Sequence, residues 1–479
     1  MRKAGILMPV ASLPSKYGIG DFGHTSYEFI DLCYKTNLKI WQILPLNPLG
    51  FGNSPYQPYS SYAMDELYVG LDMLVEDGLL SDVKEYFANS KKIHYQKIRK
   101  YKEKYLKKAF LKFKPDENYY QFIKYHWVND YAIFITLKKH NNLELWTKWK
   151  KEDKEYINKP YKLSGKLKKQ VAYETFIQYI LYKQWLKLRA YANKLNIEIM
   201  GDIPIYVGID SLDVWKNQES FLLDSNGNPK FIAGCPPDYF SEDGQRWGNP
   251  IYDWEQLEKD DFKFWLERLS YSDILFDITR IDHFRAFDTY WKIPESSITA
   301  RIGEWVEAPG YRLFDKVFEV YPNINIVVED LGDLRKEVLE LRDHFNLMGM
   351  RIVQHSFDAI NEMDDKEHLL AYTGTHDNET LKYWYHNLSK TDKKNMRKYF
   401  KKENVLKDNI IDSIINYTLN TKANLVILPM VDILHKNDKF RINFPGTVGS
   451  PNWEMKLNNY QEFIALMDNL KSMINKANR

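Results

Sequence analysis

Eight short apolar runs bounded by turn-forming residues constrain this sequence more than any other feature: AGILMPV, LKIWQILPL, IEIMGDIPIYV, DILFDITRID, INIVVEDLG, GMRIVQHSF, LLAYTGTHDN and NLVILPMVDIL. They are continuous rather than alternating, as strands buried on both faces of a parallel sheet are. Between several of them lie stretches such as DLRKEVLELRDHF, with apolar residues at helical spacing. Eight strands alternating with helices predict an α/β fold, a (β/α)8 TIM barrel with helical and irregular insertions.

A plain barrel needs about 250 residues, so much of the 479-residue chain is expected in insertions on one catalytic domain spanning 1–479. Residues from about 75 to 170 are rich in Lys and Tyr and almost free of Gly and Pro. They read as amphipathic helices carried between the second and third strands. A second segment, about 207 to 255, is dense in Gly, Pro, Asp and aromatic residues. It is expected to hang irregularly from the end of the third strand and to overhang the cleft; loops of that length inside a compact domain are usually functional.

In a barrel the C-terminal ends of the strands share one face, where catalytic groups gather. The stretch LFDITRIDHFRAF begins as an apolar fourth strand and then places Arg280, Asp282, His283 and Arg285 within six positions. The third run ends in Asp202, the fifth in Glu329 and Asp330, and the seventh in His376 and Asp377. A single polar strand end is ordinary. Four acidic ends on one face bring like charges together at a cost, which a ligand or a reaction must repay. Paired carboxylates without a metal signature fit retaining glycoside chemistry. One attacks the anomeric carbon, and another group roughly 5 Å away protonates the departing oxygen and later deprotonates the acceptor.

Two motifs point elsewhere and fail. Gly18 to Gly23, GIGDFG, has the spacing of a dinucleotide loop but lies beyond the strand end, past Pro14, rather than in a tight strand-to-helix turn. DSNGN, Asp224 to Asn228, starts like a calcium loop but lacks the later glutamate, and an Asn226-Gly227 turn between two short strands accounts for it. No metal site and no cofactor are expected. With 67 Lys and Arg against 65 Asp and Glu, no global field draws in nucleic acid or a membrane. The N-terminal apolar run is short and carries Pro9, so it reads as a strand and not a secretory signal. No run approaches the roughly 18 apolar residues of a membrane span. Two distant cysteines, Cys33 and Cys235, suit a reducing compartment, and a cytoplasmic protein is expected. The 15% aromatic content agrees with rings that meet sugar faces, without requiring it.

The motifs SLPSKYGIGDFG, NSPYQPYSSYA, GDIPIYVGIDSLDVW, AGCPPDYFSEDGQRWGNP, TRIDHFRAF, VVEDLG, YTGTHDNET and NFPGTVGSPNW, in this order and nearly end to end, resemble the amylomaltases, or 4-α-glucanotransferases, of glycoside hydrolase family 77. The resemblance implies Asp282 as nucleophile, Glu329 as acid and base, and Asp377 as the third carboxylate. It implies that Arg280 orients Asp282 and that His376, His283 and Asp202 bind the sugar at the cleavage point. Tyr56, Ser60 and Tyr62 would line the glucan groove, and Asn443 would contact substrate. Tyr239 and Phe240 would exclude water, and Trp247 would stack on a ring. The implied substrates are α-1,4-glucans, malto-oligosaccharides and glucose, and a hydrolase on the same barrel is the alternative. A glucan-binding protein without turnover is the reading from another class. The chain departs from the family at Ala286, where a glycine commonly follows HFR, and at NWEMK, which lacks the second Trp and the Arg of NWxWR.

Overall fold

The computed structural model describes residues 2–237, 241–332, 334–356 and 366–479. Its strands are β1 (Lys3–Leu7), β2 (Ile40–Gln42), β3 (Glu198–Ile203), β4 (Phe231–Cys235), β5 (Gln245–Pro250) and β6 (Ile278–Ile281), then β7 (Thr289–Pro294), β8 (Glu304–Glu307), β9 (Ile326–Val328), β10 (Gly349–Ile352), β11 (Leu369–Tyr372) and β12 (Leu425–Pro429). Eight of these form one parallel sheet in the order β10-β11-β12-β1-β2-β3-β6-β9. A parallel bridge between Val327 and Met348, with the Val328 N–H donating to the Met348 carbonyl at 2.9 Å, joins β9 to the start of β10 and closes the barrel. This is the predicted TIM-barrel fold.

The continuous apolar runs have the expected cause. Leu7, Ile40, Met200, Ile278, Val327, Met350, Leu370 and Ile427 fill the inside of the barrel. Their neighbours Ile6, Trp41, Ile199, Ile326, Val328, Ala371, Val426 and Leu428 face outward into the core beneath the helices. Each strand is therefore apolar on both faces, and polarity is confined to its ends.

Two runs are trimmed relative to the expectation. Asp273 to Leu275 complete the helix Lys263–Leu275, so β6 starts only at Ile278, and Val353 opens a short helix directly after β10. A short apolar run that straddles a helix end and a strand start carries no period that separates them.

Between β2 and β3 lie the helices Leu71–Glu76, Tyr95–Lys112, Glu117–Phe122 and Val128–His140, followed by the 30-residue helix Gly165–Lys194, whose N-cap Ser164 accepts from the Leu167 N–H. Cationic side chains tie these helices to the loops after β1 and β2 and to one another. Lys102, fully buried, donates to Asp21 at 2.6 Å and to the carbonyls of Leu67 and Val69. Arg99 reaches Asp65 and Glu66, and Lys139 reaches Glu174. The Gly18–Gly23 spacing serves packing: a Cβ on Gly20 would lie 1.9 Å from the Val10 carbonyl oxygen.

The segment after β3 is more regular than its composition indicates. β4 and β5 pair antiparallel, and β4 also pairs with β7, which pairs with β8, giving a four-stranded antiparallel sheet in the order β5-β4-β7-β8. It draws two strands from the loop after β3 and two from the loop after β6. The Asn226-Gly227 turn is present: Gly227 takes φ +83°, its N–H donates to the Asp224 carbonyl, and Leu223 bridges Pro229.

Candidate active site

The exits of β3, β6 and β9 converge on Arg280. Its Nη1 donates to both carboxylate oxygens of Asp202, at 2.6 and 2.7 Å; its Nη2 lies 2.8 Å from Glu329 Oε2 and 3.1 Å from Asp282 Oδ1. The backbone carries the ladder past the strand ends, because the Asp282 N–H donates to Ile203 O and the Glu329 N–H to Ile281 O, each at 3.0 Å. His283 then turns left-handed (φ 51°, ψ 53°), which aims its N–H at Glu329 Oε2, 3.0 Å away. A single buried guanidinium thus sets the spacing of three carboxylates, in the planar, forked manner that suits arginine and not lysine.

Exposure separates the cluster into a support and a working face. The Asp202 and Arg280 side chains are 0% and 3% exposed, whereas Asp282 and Glu329 show 25% and 24% to the cleft. Burial raises the Asp282 carboxyl well above the usual carboxylate range, reinforced by the nearby Glu329 charge. Burial acts on Glu329 in the same direction but is outweighed by Arg280, by a hydrogen bond with Asp282 and by the His283 N–H, which together hold it down to about 2. The two neighbouring carboxyls are thus pushed apart, Asp282 upward by burial and by the Glu329 charge, Glu329 downward by Arg280. Burial also lowers His283 to about 4, so its imidazole is neutral at ordinary pH.

On the opposite side stands the loop after β11. Asp377 Oδ1 accepts from Asn443 Nδ2 at 2.6 Å, and Asp377 Oδ2 lies 3.4 Å from His376 Nε2. The Tyr56 hydroxyl donates to Asp202 Oδ2 at 2.6 Å, and its ring stacks on His376, with centroids 5.2 Å apart and planes 10° apart. Trp247 meets His283 edge-on at 4.9 Å. These contacts bring Asp202, Arg280, Asp282, His283, Glu329, His376, Asp377, Tyr56, Trp247 and Asn443 together.

Ser60 and Tyr62 are not joined to this network. The Ser60 hydroxyl, fully buried, accepts from the N–H groups of Tyr62 and Ala63, and the Tyr62 ring packs against His126, Trp127 and Tyr271. Asp330, a further acidic strand end, also turns away, accepting from Met350 N–H and pairing with Arg342. Tyr239 and Phe240 lie outside the described residues.

Sequence reasoning missed Arg441. Its Nη2 donates to the Asp377 carbonyl at 2.6 Å, its Nε to the Asn443 carbonyl at 2.8 Å, and its guanidinium lies 4.7 Å from the Phe444 ring centroid. The only signal for it was a charge two positions before Asn443. The Trp453 ring, 5.9 Å from Tyr56 and 6.0 Å from His376, was likewise not singled out.

Both departures have a local explanation. Ala286 is buried in the one-turn helix Phe284–Phe287 and is not among the residues with positive φ, so no glycine is required there. Met455 packs with Ile442 and Trp453 at the barrel mouth. Lys456 is fully buried, its ammonium held by the carbonyls of Leu457 and Ala88 at 3.2 and 3.4 Å. Among the described residues, no helix is long and apolar enough to cross a membrane.

The sequence profile of glycoside hydrolase family 77, described as 4-alpha-glucanotransferase, matches residues 8–462. A 4-alpha-glucanotransferase of Streptococcus pneumoniae is 40% identical over 474 residues, covering 95% of this chain and 93% of that protein. One from Clostridium butyricum is 41% identical over 465 residues, covering 94% and 95%. The structure of the amylomaltase from Streptococcus agalactiae in complex with acarbose superposes with a TM-score of 0.92 at 33% identity over the whole of both chains. By profile, by sequence along nearly its full length and by fold, this chain belongs to the 4-alpha-glucanotransferases of glycoside hydrolase family 77.

Proposed function

We propose that this 4-alpha-glucanotransferase moves α-1,4-glucan segments from a donor malto-oligosaccharide to another malto-oligosaccharide or to glucose, with retention, using Asp282, Glu329 and Asp377. The observation that carries this reading is the Arg280 cluster, which holds two partly exposed carboxylates on one guanidinium nitrogen at the barrel mouth. Asp282 attacks the anomeric carbon as the bond to the leaving 4-oxygen breaks, and Glu329 gives that oxygen its proton. The glycosyl ester on Asp282 is then attacked by the acceptor's 4-hydroxyl, whose proton returns to Glu329, and the Asp282 carboxylate departs.

Attack requires an ionised Asp282 and a protonated Glu329, the reverse of the directions in which their surroundings push them, so donor entry must bring a transfer of protonation toward Glu329. A sugar that adds a weakly basic glycosidic oxygen beside Glu329 and displaces water from both groups favours that transfer. Asp377, held by Asn443 and faced by His376, is placed to grip sugar hydroxyls and support ring distortion. Tyr239 and Phe240 would exclude water so that a sugar hydroxyl resolves the ester, and Trp247 would stack on a sugar ring. The helical insertion and the cleft-overhanging sheet are parts of one catalytic domain in this reading, and the two cysteines, neither in a disulfide, support a cytoplasmic location.

Incubation with maltotriose tests the proposal. A transferase yields glucose with a ladder of oligosaccharides longer than the substrate. Products no longer than maltotriose would establish the hydrolase instead.

A further inference from the structure

Residues 91–114 contain eleven Lys or Arg and a single acid, Glu103, in a chain whose total charge is only +2. Two of these cations point inward: Arg99 to Asp65 and Glu66, and Lys102 to Asp21. Lys97, Lys100, Lys104, Lys107 and Lys108 are exposed on the helix Tyr95–Lys112, opposite the face buried through Tyr95, Ile98, Lys102, Tyr105, Leu106 and Ala109. Lys107 pairs with Glu103 at 2.6 Å. Among the described residues, Lys97, Lys100, Lys104 and Lys108 have no carboxylate within 4.0 Å. Lys100, Lys104 and Lys108 repeat every four residues, a spacing at which like charges destabilise a helix. From Lys97 to Lys108 the row is roughly 16 Å long.

The helix that carries the row is tied to the Trp453 segment through its buried N-terminal residues. The Tyr95 hydroxyl donates to the Trp453 carbonyl at 2.6 Å, and the Ile93 N–H donates to Glu454 O at 2.8 Å. The Trp453 ring stands beside Tyr56 and His376. A glucan long enough to leave the cleft past Trp453 and cross the helix N-terminus would meet the row on the helix's outer face, where its first lysine, Lys97, follows Tyr95 by two residues.

We propose that this helix face is a docking surface for α-glucan chains that carry phosphate monoesters; the inference rests on the glucan-transfer reading of the cleft. A neutral glucan gains nothing from unpaired ammonium groups, whereas a phosphate monoester carries close to two negative charges at neutral pH and relieves their repulsion. Lysine suits a phosphate met as a point charge at varying positions along a polymer. A nucleic acid fits less well: the rings beside these ammonium groups, Phe87 at Lys97 and Tyr105 at Lys104 and Lys108, are half-buried and buried beneath the lysines, leaving little ring face for a base to stack on.

The test compares a maltodextrin bearing 6-phosphate esters with the same dextrin after phosphatase treatment, both as donors for the intact enzyme. At low salt, two or three exposed ion pairs lower KM for the phosphorylated donor by about fivefold. The gap closes as salt approaches roughly 0.5 M. Lys100→Glu/Lys104→Glu/Lys108→Glu removes the gap while disproportionation of maltotriose, which carries no phosphate, proceeds as in the wild type and reports an intact fold. Equal KM values for the two donors, or a gap that survives the triple substitution, overturn the proposal. So does a labelled single-stranded oligonucleotide that binds the row more tightly than the phosphodextrin. Failure of wild-type enzyme on maltotriose would instead refute the transfer reading, which this comparison leaves separately visible.

Discussion

Replacing Arg280 with methionine, of similar length and no charge, removes the cation that three carboxylates share. Asp202 is fully buried and receives two of the guanidinium bonds, so it becomes a buried anion left with the Tyr56 hydroxyl. Breaking a buried ion pair from one side costs about 3–5 kcal/mol. With an unfolding entropy of about 2.1 cal/mol/K per residue, a chain of 479 residues changes its stability by about 1 kcal/mol per kelvin near Tm, so the expected loss is roughly 3–5 °C. The pH dependence distinguishes this cause from ordinary packing loss. In the wild type Arg280 holds Glu329 at about 2, so that group's stabilisation is complete above its unfolded pKa and is lost as pH falls toward 2. In Arg280→Met the stranded carboxyls rise above their unfolded values, so the folded protein binds the extra protons and gains relative stability as pH falls. Scanning calorimetry at pH 8 and pH 5 measures both. A Tm loss below 1 °C at pH 8, or a deficit that widens at pH 5, would refute the shared-cation account.

Other consequences are as direct. Glu329→Gln lowers kcat on maltotriose by about 10²–10⁴, and a maltotriosyl fluoride donor, which needs no protonated leaving group, still glycosylates Asp282 at a measurable rate; loss with both donors would deny Glu329 the acid role. Arg441→Gln frees the Asp377 and Asn443 carbonyls, and steady-state kinetics should show kcat about tenfold lower with KM little changed; a rise in KM alone would make Arg441 a substrate-holding group. Lys456 is lowered by burial to about 8 from an ordinary 10.5, so the unfolded chain binds its proton more tightly and the penalty is full below pH 8 and gone by pH 10.5. Lys456→Met therefore raises stability by about 1–2 kcal/mol at pH 7, a gain that denaturation at pH 10.5 should find erased.

The barrel was legible because its strands bury both faces, which writes continuous apolar runs between polar ends. The antiparallel sheet was not, because QRWGNP carries charge, Gly and Pro, and β4, with which it pairs, takes its other neighbour, β7, from beyond β6, so neither half looks like a strand without the other. At the site, Asp282, Glu329 and Asp377 stood out because acids rarely follow apolar strands on several neighbouring exits. Arg441 left almost no trace, since it acts on main-chain carbonyls, which no side-chain pattern reports. Ser60 and Tyr62 show the converse limit. Hydroxyls and rings in a turn-rich loop fit either a sugar groove or a packed interior, and only the backbone path sends Ser60 to cap its own loop.

The antiparallel sheet also sets how such an enzyme can be rebuilt. Its strands β4 and β5 precede Asp282 in the chain and β7 and β8 follow it, so the pairing of Phe231 with Pro294 and of Gly234 with Trp291 spans the segment that carries Asp282. A graft that swaps only residues 207–255 between two barrels would leave the β7 edge facing a foreign partner. A chimera that keeps its register must exchange both flanking segments together, carrying the Arg280 strand end as its fixed point.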